Sequence, residues 1–155
     1  MSNAPYKAPS VVLPNEIGKI IDLKNFRPYP IVLFFYPRDN PSGCTTEAKN
    51  FTENLKLFDR ANVSVFGVSK DSIESHAKFI KKQELAISLL SDQDGTVCED
   101  FGVWKEKSMY GKTYMGIERS TFIIDGKGLV IKEWRKVKVA EHVNEILQVI
   151  EKIQD

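Results

Sequence analysis

Phe34-Phe35-Tyr36-Pro37-Arg38-Asp39-Asn40-Pro41-Ser42-Gly43-Cys44-Thr45-Thr46-Glu47 is the stretch on which the fold turns. An apolar run of strand character, Ile31 to Tyr36, stops at Pro37, a loop of turn-forming residues follows, and a cysteine stands where a helical pattern opens. The run does not alternate, which predicts a central strand covered on both faces. Cysteine chemistry favours such a junction. Only the thiolate is a good nucleophile, and a helix N-terminus supplies unpaired N–H groups and a positive dipole end to stabilise it.

Working outward, Ala48, Phe51, Leu55 and Phe58 recur at helical spacing and predict a helix after Thr45. Val63 to Ser69 reads as a second buried strand, and Ser72 to Gln83 as a helix with Ile73, Ala77, Phe79 and Ile80 apolar. Leu89-Leu90 ends a short segment before the turn Ser91 to Gly95, which leads into a helix around Val97 to Phe101. Residues 102–118 carry Gly102, Gly111, Gly116 and many charges, and read mostly as loop. Arg119 to Asp125 and Gly128 to Arg135 predict a hairpin across Gly126-Lys127. Val139 to Ile153 closes the chain as a helix with Val143, Ile146, Leu147, Ile150 and Ile153 on one stripe. Upstream, Val11 to Leu13 and Lys19 to Leu23 flank the turn chemistry of Pro14 to Gly18, which predicts an N-terminal β-hairpin. Residues 1–9, with two prolines, read as a flexible N-terminal lead-in. Strand–helix alternation followed by a hairpin and a final helix is an α/β pattern, with a mixed central β-sheet flanked by helices. Residues 1–155 show no internal linker and are expected to form a single domain.

A chain of 155 residues buries roughly 68–70% of its unfolded surface, enough for a core without metal or disulfide staples. A formal net charge of +1 gives no electrostatic case for nucleic acid or an anionic membrane. No run approaches the ~18 apolar residues of a membrane span, and the first residues lack the apolar core of a signal peptide. Two cysteines, Cys44 and Cys98, are too few for a secreted disulfide framework, so a cytoplasmic location with reduced thiols is expected. His76 and His142 lie on predicted helices without ligand-like partners nearby, and are expected on surface or helix faces rather than in a metal site.

Several separate blocks, in order, resemble the peroxiredoxins, specifically the bacterioferritin comigratory protein (PrxQ-like) branch. They are Phe35-Tyr36-Pro37-Arg38-Asp39, Gly43-Cys44-Thr45-Thr46-Glu47-Ala48, Gly67-Val68-Ser69, Leu90-Ser91-Asp92 and Phe101-Gly102-Val103-Trp104. The run Met115 to Asp125 and Trp134-Arg135-Lys136-Val137 complete the set. The resemblance implies a thioredoxin-like fold and a thiol-dependent peroxidase without cofactors. Such an enzyme reduces hydrogen peroxide and organic hydroperoxides through a sulfenic acid on Cys44, in antioxidant defence and redox homeostasis. It also implies a partner thiol as reductant (thioredoxin, glutaredoxin or a low-molecular-weight thiol), and a monomer, with a dimer as the alternative.

The active-site pattern of that family is Pro-x-x-x-Thr-x-x-Cys with an arginine from much later in the chain. Pro37, Cys44 and Arg119 match it. By resemblance, Arg119 and the Cys44 backbone N–H would align the peroxide, Arg119 would favour the thiolate, and Pro37 would shield the sulfur. Ionising the thiol fully gains only ~30-fold over a free cysteine at pH 7, so most acceleration must come from such donors. Position 41, where the family has threonine, holds Pro41. Asn40-Pro41-Ser42-Gly43 fits a type I turn, and the Ser42 hydroxyl, one place late, either caps the helix or substitutes for the missing threonine. Glu47 fits the helix dipole and, by resemblance, would orient Arg119.

The position of the common family resolving thiol, five residues after Cys44, holds Lys49. Cys98 is the only internal alternative, and its apolar neighbours Val97, Phe101 and Val103 favour a buried structural thiol. One-cysteine behaviour follows. The competing functions are a thiol–disulfide oxidoreductase, against which the lack of Cys-x-x-Cys counts, and a weakly catalytic redox sensor or chaperone-like binding protein, which Pro41 keeps open.

Overall fold

The computed structural model describes residues 4–39 and 42–154, with the backbone alone for 42, 43 and 154. At its centre lies β4 (Ile31–Phe35), buried along its whole length. On one side β4 pairs in parallel with β5 (Ser64–Ser69), which pairs in parallel with β6 (Ser88–Ser91). On the other it pairs antiparallel with β9 (Ser120–Ile124), and β10 (Leu129–Arg135) and β1 (Tyr6–Lys7) complete a six-stranded mixed sheet.

The absence of alternation in β4 has the predicted cause. Ile31, Leu33 and Phe35 belong to one apolar cluster, Val32, Phe34 and Tyr36 to another, so successive side chains serve opposite faces. The second face is covered by α1 (Ser42–Glu53), α2 (Leu55–Arg60), α3 (Ile73–Gln83) and α5 (His142–Gln154), through Phe51, Phe58, Phe79 and Ile146. Phe34 stacks on Phe51 with ring centroids 4.4 Å apart. Burying each such ring contributes about 1.5–3 kcal/mol. Gly67, opposite Phe34 on β5, has no room for a side chain, since a Cβ there would stand 2.7 Å from the Phe34 ring.

The first face is covered by α4 (Val97–Asp100) and two small hairpins. One is β2 (Val12–Pro14) with β3 (Ile20–Asp22), at the predicted place. The other is β7 (Trp104–Met109) with β8 (Lys112–Ile117), in the segment expected to be mostly loop. Its residues are mainly exposed, and Val103 and Ile117 at its base supply its buried apolar side chains. A hairpin that solvates both faces leaves no alternating pattern to read.

Two further expectations are corrected. Within the lead-in expected to be flexible, Tyr6 and Lys7 add a strand to the edge of β10, and residues 1–3 lie outside the described residues. The helix expected through Phe58 is broken at Asn54, whose side chain donates to the Asn50 carbonyl at 2.8 Å and competes with the backbone ladder.

Candidate active site

Cys44 lies in the first turn of α1, just past the end of β4, and is 2% exposed. Arg119 lies between β8 and β9. Because β9 runs antiparallel to β4 with Ser120 opposite Phe35, the register delivers Arg119 to the end of the sheet where Cys44 stands. Its Nη2 donates to the Cys44 sulfur at 3.1 Å, across 75 residues of sequence. Nη1 donates to Glu47 Oε1 at 2.7 Å. Cys44 and Glu47, three apart on α1, share a helix face, so one planar guanidinium bridges both. Val137 N–H holds the Arg119 carbonyl at 2.9 Å and fixes the arginine's backbone.

Glu47 is fully buried, and its Oε2 has no hydrogen-bond partner among the described residues. Burial pushes its carboxyl up to about 7, against the pull of the Arg119 charge and hydrogen bond. In the unfolded chain the same group titrates near 4.5. Between those values the folded state holds the extra proton, so stability falls as pH rises, by roughly 3 kcal/mol over the window. Glu47→Gln should flatten that slope in unfolding midpoints measured from pH 4.5 to 8; an undiminished slope would assign it to another group.

Two basic side chains at the margins were not foreseen. Lys107, on β7, donates to the Ile117 carbonyl at 2.5 Å, and burial together with the Arg119 charge lowers its pKa. His142, expected on a surface or helix face, is 2% exposed, with Nε2 2.8 Å from Thr121 Oγ1 and its ring edge-on to Trp134. Burial, then the Arg119 charge, lower it to about 4, so it is neutral at pH 7. His76, under the same expectation, is also buried, on the inward face of α3. Both histidines fall on the apolar stripes of their helices, His76 with Ile73, Phe79 and Ile80 and His142 with Ile146, and that spacing was the signal for their burial.

Pro37 is half-buried directly after β4. Pro41 lies outside the described residues, as do the Ser42 side chain and the turn expected at residues 40–43. The backbone of Ser42 and Gly43 already belongs to α1. Lys49 is exposed on α1. Cys98 is fully buried in the cluster of Leu33, Phe35 and Phe66, whereas Cys44 belongs to the cluster of Phe34, Tyr36 and Phe51. The two thiols therefore lie on opposite faces of the central sheet. Burial first, then Asp92, raise the Cys98 pKa far above the ordinary thiol range. Asp92 also accepts from the N–H groups of Val97 and Cys98 at 3.1 and 2.8 Å, which anchors α4.

A buried thiol at a strand–helix junction, with an arginine on its sulfur and a buried carboxylate on that arginine, is an arrangement suited to a thiol-dependent peroxidase. The chain belongs to the AhpC/TSA family, whose profile matches residues 5–133. It is 46% identical to the peroxiredoxin Bcp of Bacillus subtilis over 96% of this chain and 95% of that one. Among solved structures it is similar to the bacterioferritin comigratory protein of Xanthomonas campestris, with a TM-score of 0.88 and 41% identity over 94% of this chain and 92% of that one. It is also similar to a cysteine-to-serine variant of Xylella fastidiosa PrxQ, with a TM-score of 0.91 and 34% identity over 99% of this chain and all of that one. The thioredoxin-like fold expected from the resemblance stands, and the chain is a thiol-dependent peroxidase that reduces peroxide at the expense of a thiol.

Proposed function

We propose that Cys44 is the nucleophile, that Arg119 orients the peroxide, and that the enzyme works with one cysteine. The Cys44 thiolate attacks the terminal oxygen of R–O–O–H. An S–O bond forms, the O–O bond breaks, and the sulfenic acid Cys44–S–OH and an alkoxide or hydroxide result, the latter leaving as alcohol or water after taking up a proton. The single observation that carries this assignment is the 3.1 Å contact from Arg119 Nη2 to the Cys44 sulfur. A guanidinium held there by Glu47 is pre-aimed at the negative charge that moves from sulfur to the departing oxygen.

An outside thiol then condenses with the sulfenic acid, releasing water and leaving a mixed disulfide. A second thiol reduces that disulfide and restores Cys44. The positions of the two cysteines support the one-cysteine scheme. A Cys44–Cys98 bond needs Cα atoms within about 7 Å, and the central sheet lies between the two residues. Hydrogen peroxide and organic hydroperoxides are the proposed substrates, in the cytoplasm, with thioredoxin, glutaredoxin or a low-molecular-weight thiol as reductant. The X. campestris relative is described by its alkyl peroxide reduction, which supports the organic substrates. Non-reducing mass spectrometry after one equivalent of peroxide tests the scheme. The expected product is a singly oxygenated Cys44 that a sulfenic-acid trap captures. An intramolecular Cys44–Cys98 disulfide would overturn it.

A further inference from the structure

A second buried polar cluster stands beside the loop that leads to Cys44, and the peroxidase chemistry above does not use it. Asp39 ends the segment that leaves β4 and is 7% exposed. Its carboxylate accepts from Tyr36 Oη and from Ser75 Oγ, each at 2.7 Å, and lies 2.9 Å from Nδ1 of the fully buried His76. Its backbone N–H donates to Asp71 Oδ2 at 2.7 Å, which also accepts from Ser69 Oγ at 2.6 Å. On the other side of the ring, His76 Nε2 stands 3.0 Å from the Leu90 carbonyl. Asp39 thus joins the end of β4 to the β5–α3 corner and to α3, and His76 extends the tie to β6.

The proton count of the pair follows from what each partner can do. A carbonyl only accepts, so Nε2 carries a proton. A carboxylate only accepts, so either Nδ1 is protonated or the carboxyl is. Burial works to raise the Asp39 carboxyl, but the hydrogen bond and charge of His76, with the hydroxyls of Tyr36 and Ser75, hold it below its ordinary value. The pair therefore holds one shared proton between the Asp39 carboxyl and His76 Nδ1. Asp39, Asp71 and His76 also offer atoms within 4.8 Å of one another that could hold a metal ion. Each of those atoms already has a hydrogen-bond partner within the cluster, so it is complete without one.

We propose that Asp39 and His76 are positioning residues, a buried carboxylate–imidazole tie that fixes Tyr36 to Asp39 on α3 and β6 and so holds Tyr36, which packs in the same apolar cluster as Cys44, in place beside the thiol. Pro37 lies between two residues of the tie, Tyr36 and Asp39. Its kinetic consequence rests on Cys44 being the nucleophile; its structural consequence does not.

The test compares Asp39→Ala, which breaks the tie, with Asp39→Asn, which keeps a neutral version by donating its amide to a bare Nδ1. Asp39→Ala should raise the rate of Cys44 alkylation by iodoacetamide about tenfold and lower its rate of oxidation by hydrogen peroxide about tenfold, with Asp39→Asn recovering most of both. Should Asp39→Ala not fold, Ser75→Ala removes one hydrogen bond to the same carboxylate and should move both rates the same way by about threefold. Alkylation at the wild-type rate in folded Asp39→Ala, or no recovery in Asp39→Asn, would overturn the proposal. A wild-type peroxide rate no faster than that of a free thiol would instead sink the role of Cys44, while alkylation still decides the tie.

Discussion

Cys44→Ser should fold and consume hydrogen peroxide no faster than buffer, a loss of at least about 10⁴-fold, judged by what removing a covalent nucleophile does elsewhere. The hydroxyl is nearly isosteric with the thiol in a site that is 2% exposed, and it can still accept from Arg119 Nη2, so the packing around α1 has no reason to change. What disappears is the sulfur nucleophile, since a serine hydroxyl attacks peroxide oxygen poorly. Cys98 cannot take over. It is fully buried on the far face of the sheet, and burial and Asp92 keep it protonated. Stopped-flow peroxide consumption decides the matter, with circular dichroism to establish folding. Turnover within a hundredfold of the wild type would remove Cys44 from the chemistry.

Arg119→Met should lower kcat/KM for peroxide by roughly 10²–10³, the usual effect of losing one preorganised donor at a developing negative charge. Methionine keeps most of the side-chain volume, so the change reports the guanidinium rather than a cavity. Arg119→Lys should recover little. A single ammonium cannot reach the Cys44 sulfur and Glu47 Oε1 at once, as Nη2 and Nη1 do at 3.1 and 2.7 Å. The loss of Arg119 also leaves Glu47 buried beside no cation. A buried carboxylate stripped of its partner is strongly destabilising when ionised, but Glu47 already takes up a proton near pH 7 and will do so more readily in the variant. Stability should therefore fall mainly above pH 7. The double variant with Glu47→Gln should regain stability without regaining rate. Activity within threefold of the wild type in folded Arg119→Met would show that another group orients the peroxide.

The loop hydroxyl of the family pattern stays tied to Pro41 and Ser42, whose side chains lie outside the described residues. Arg119 and Glu47 do not depend on it, since their contacts run directly to the sulfur and to each other.

Much of this architecture was legible because apolar pattern and burial coincide. Ile31 to Tyr36 and Val63 to Ser69 read as buried strands and are buried. The hairpin of β9 and β10 was marked by Gly126-Lys127 and its β-branched flanks. Where burial comes from neighbours distant in sequence, local pattern did not suffice. His76 and His142 fall on the apolar stripes of their helices, but histidine is intermediate in burial, and only the packing decided that both are enclosed. The hairpin of β7 and β8 is held by backbone pairing with little burial, so it had no apolar rhythm to betray it.

The sequence alone determined the family, the strand–loop–helix junction and the identity of the thiol and the arginine, because each is a matter of residue type at a set spacing. Only the tertiary structure decided on which face of the sheet each thiol stands. Strand parity separates Phe34 from Phe35, and with them the surroundings of Cys44 from those of Cys98. It also decided that Arg119 reaches the sulfur, since only the pairing of Ser120 with Phe35 brings residues 75 positions apart to one end of the sheet. The state of Asp39 and His76 was equally out of reach of the sequence, for a shared proton depends on burial and on which acceptors face each ring nitrogen.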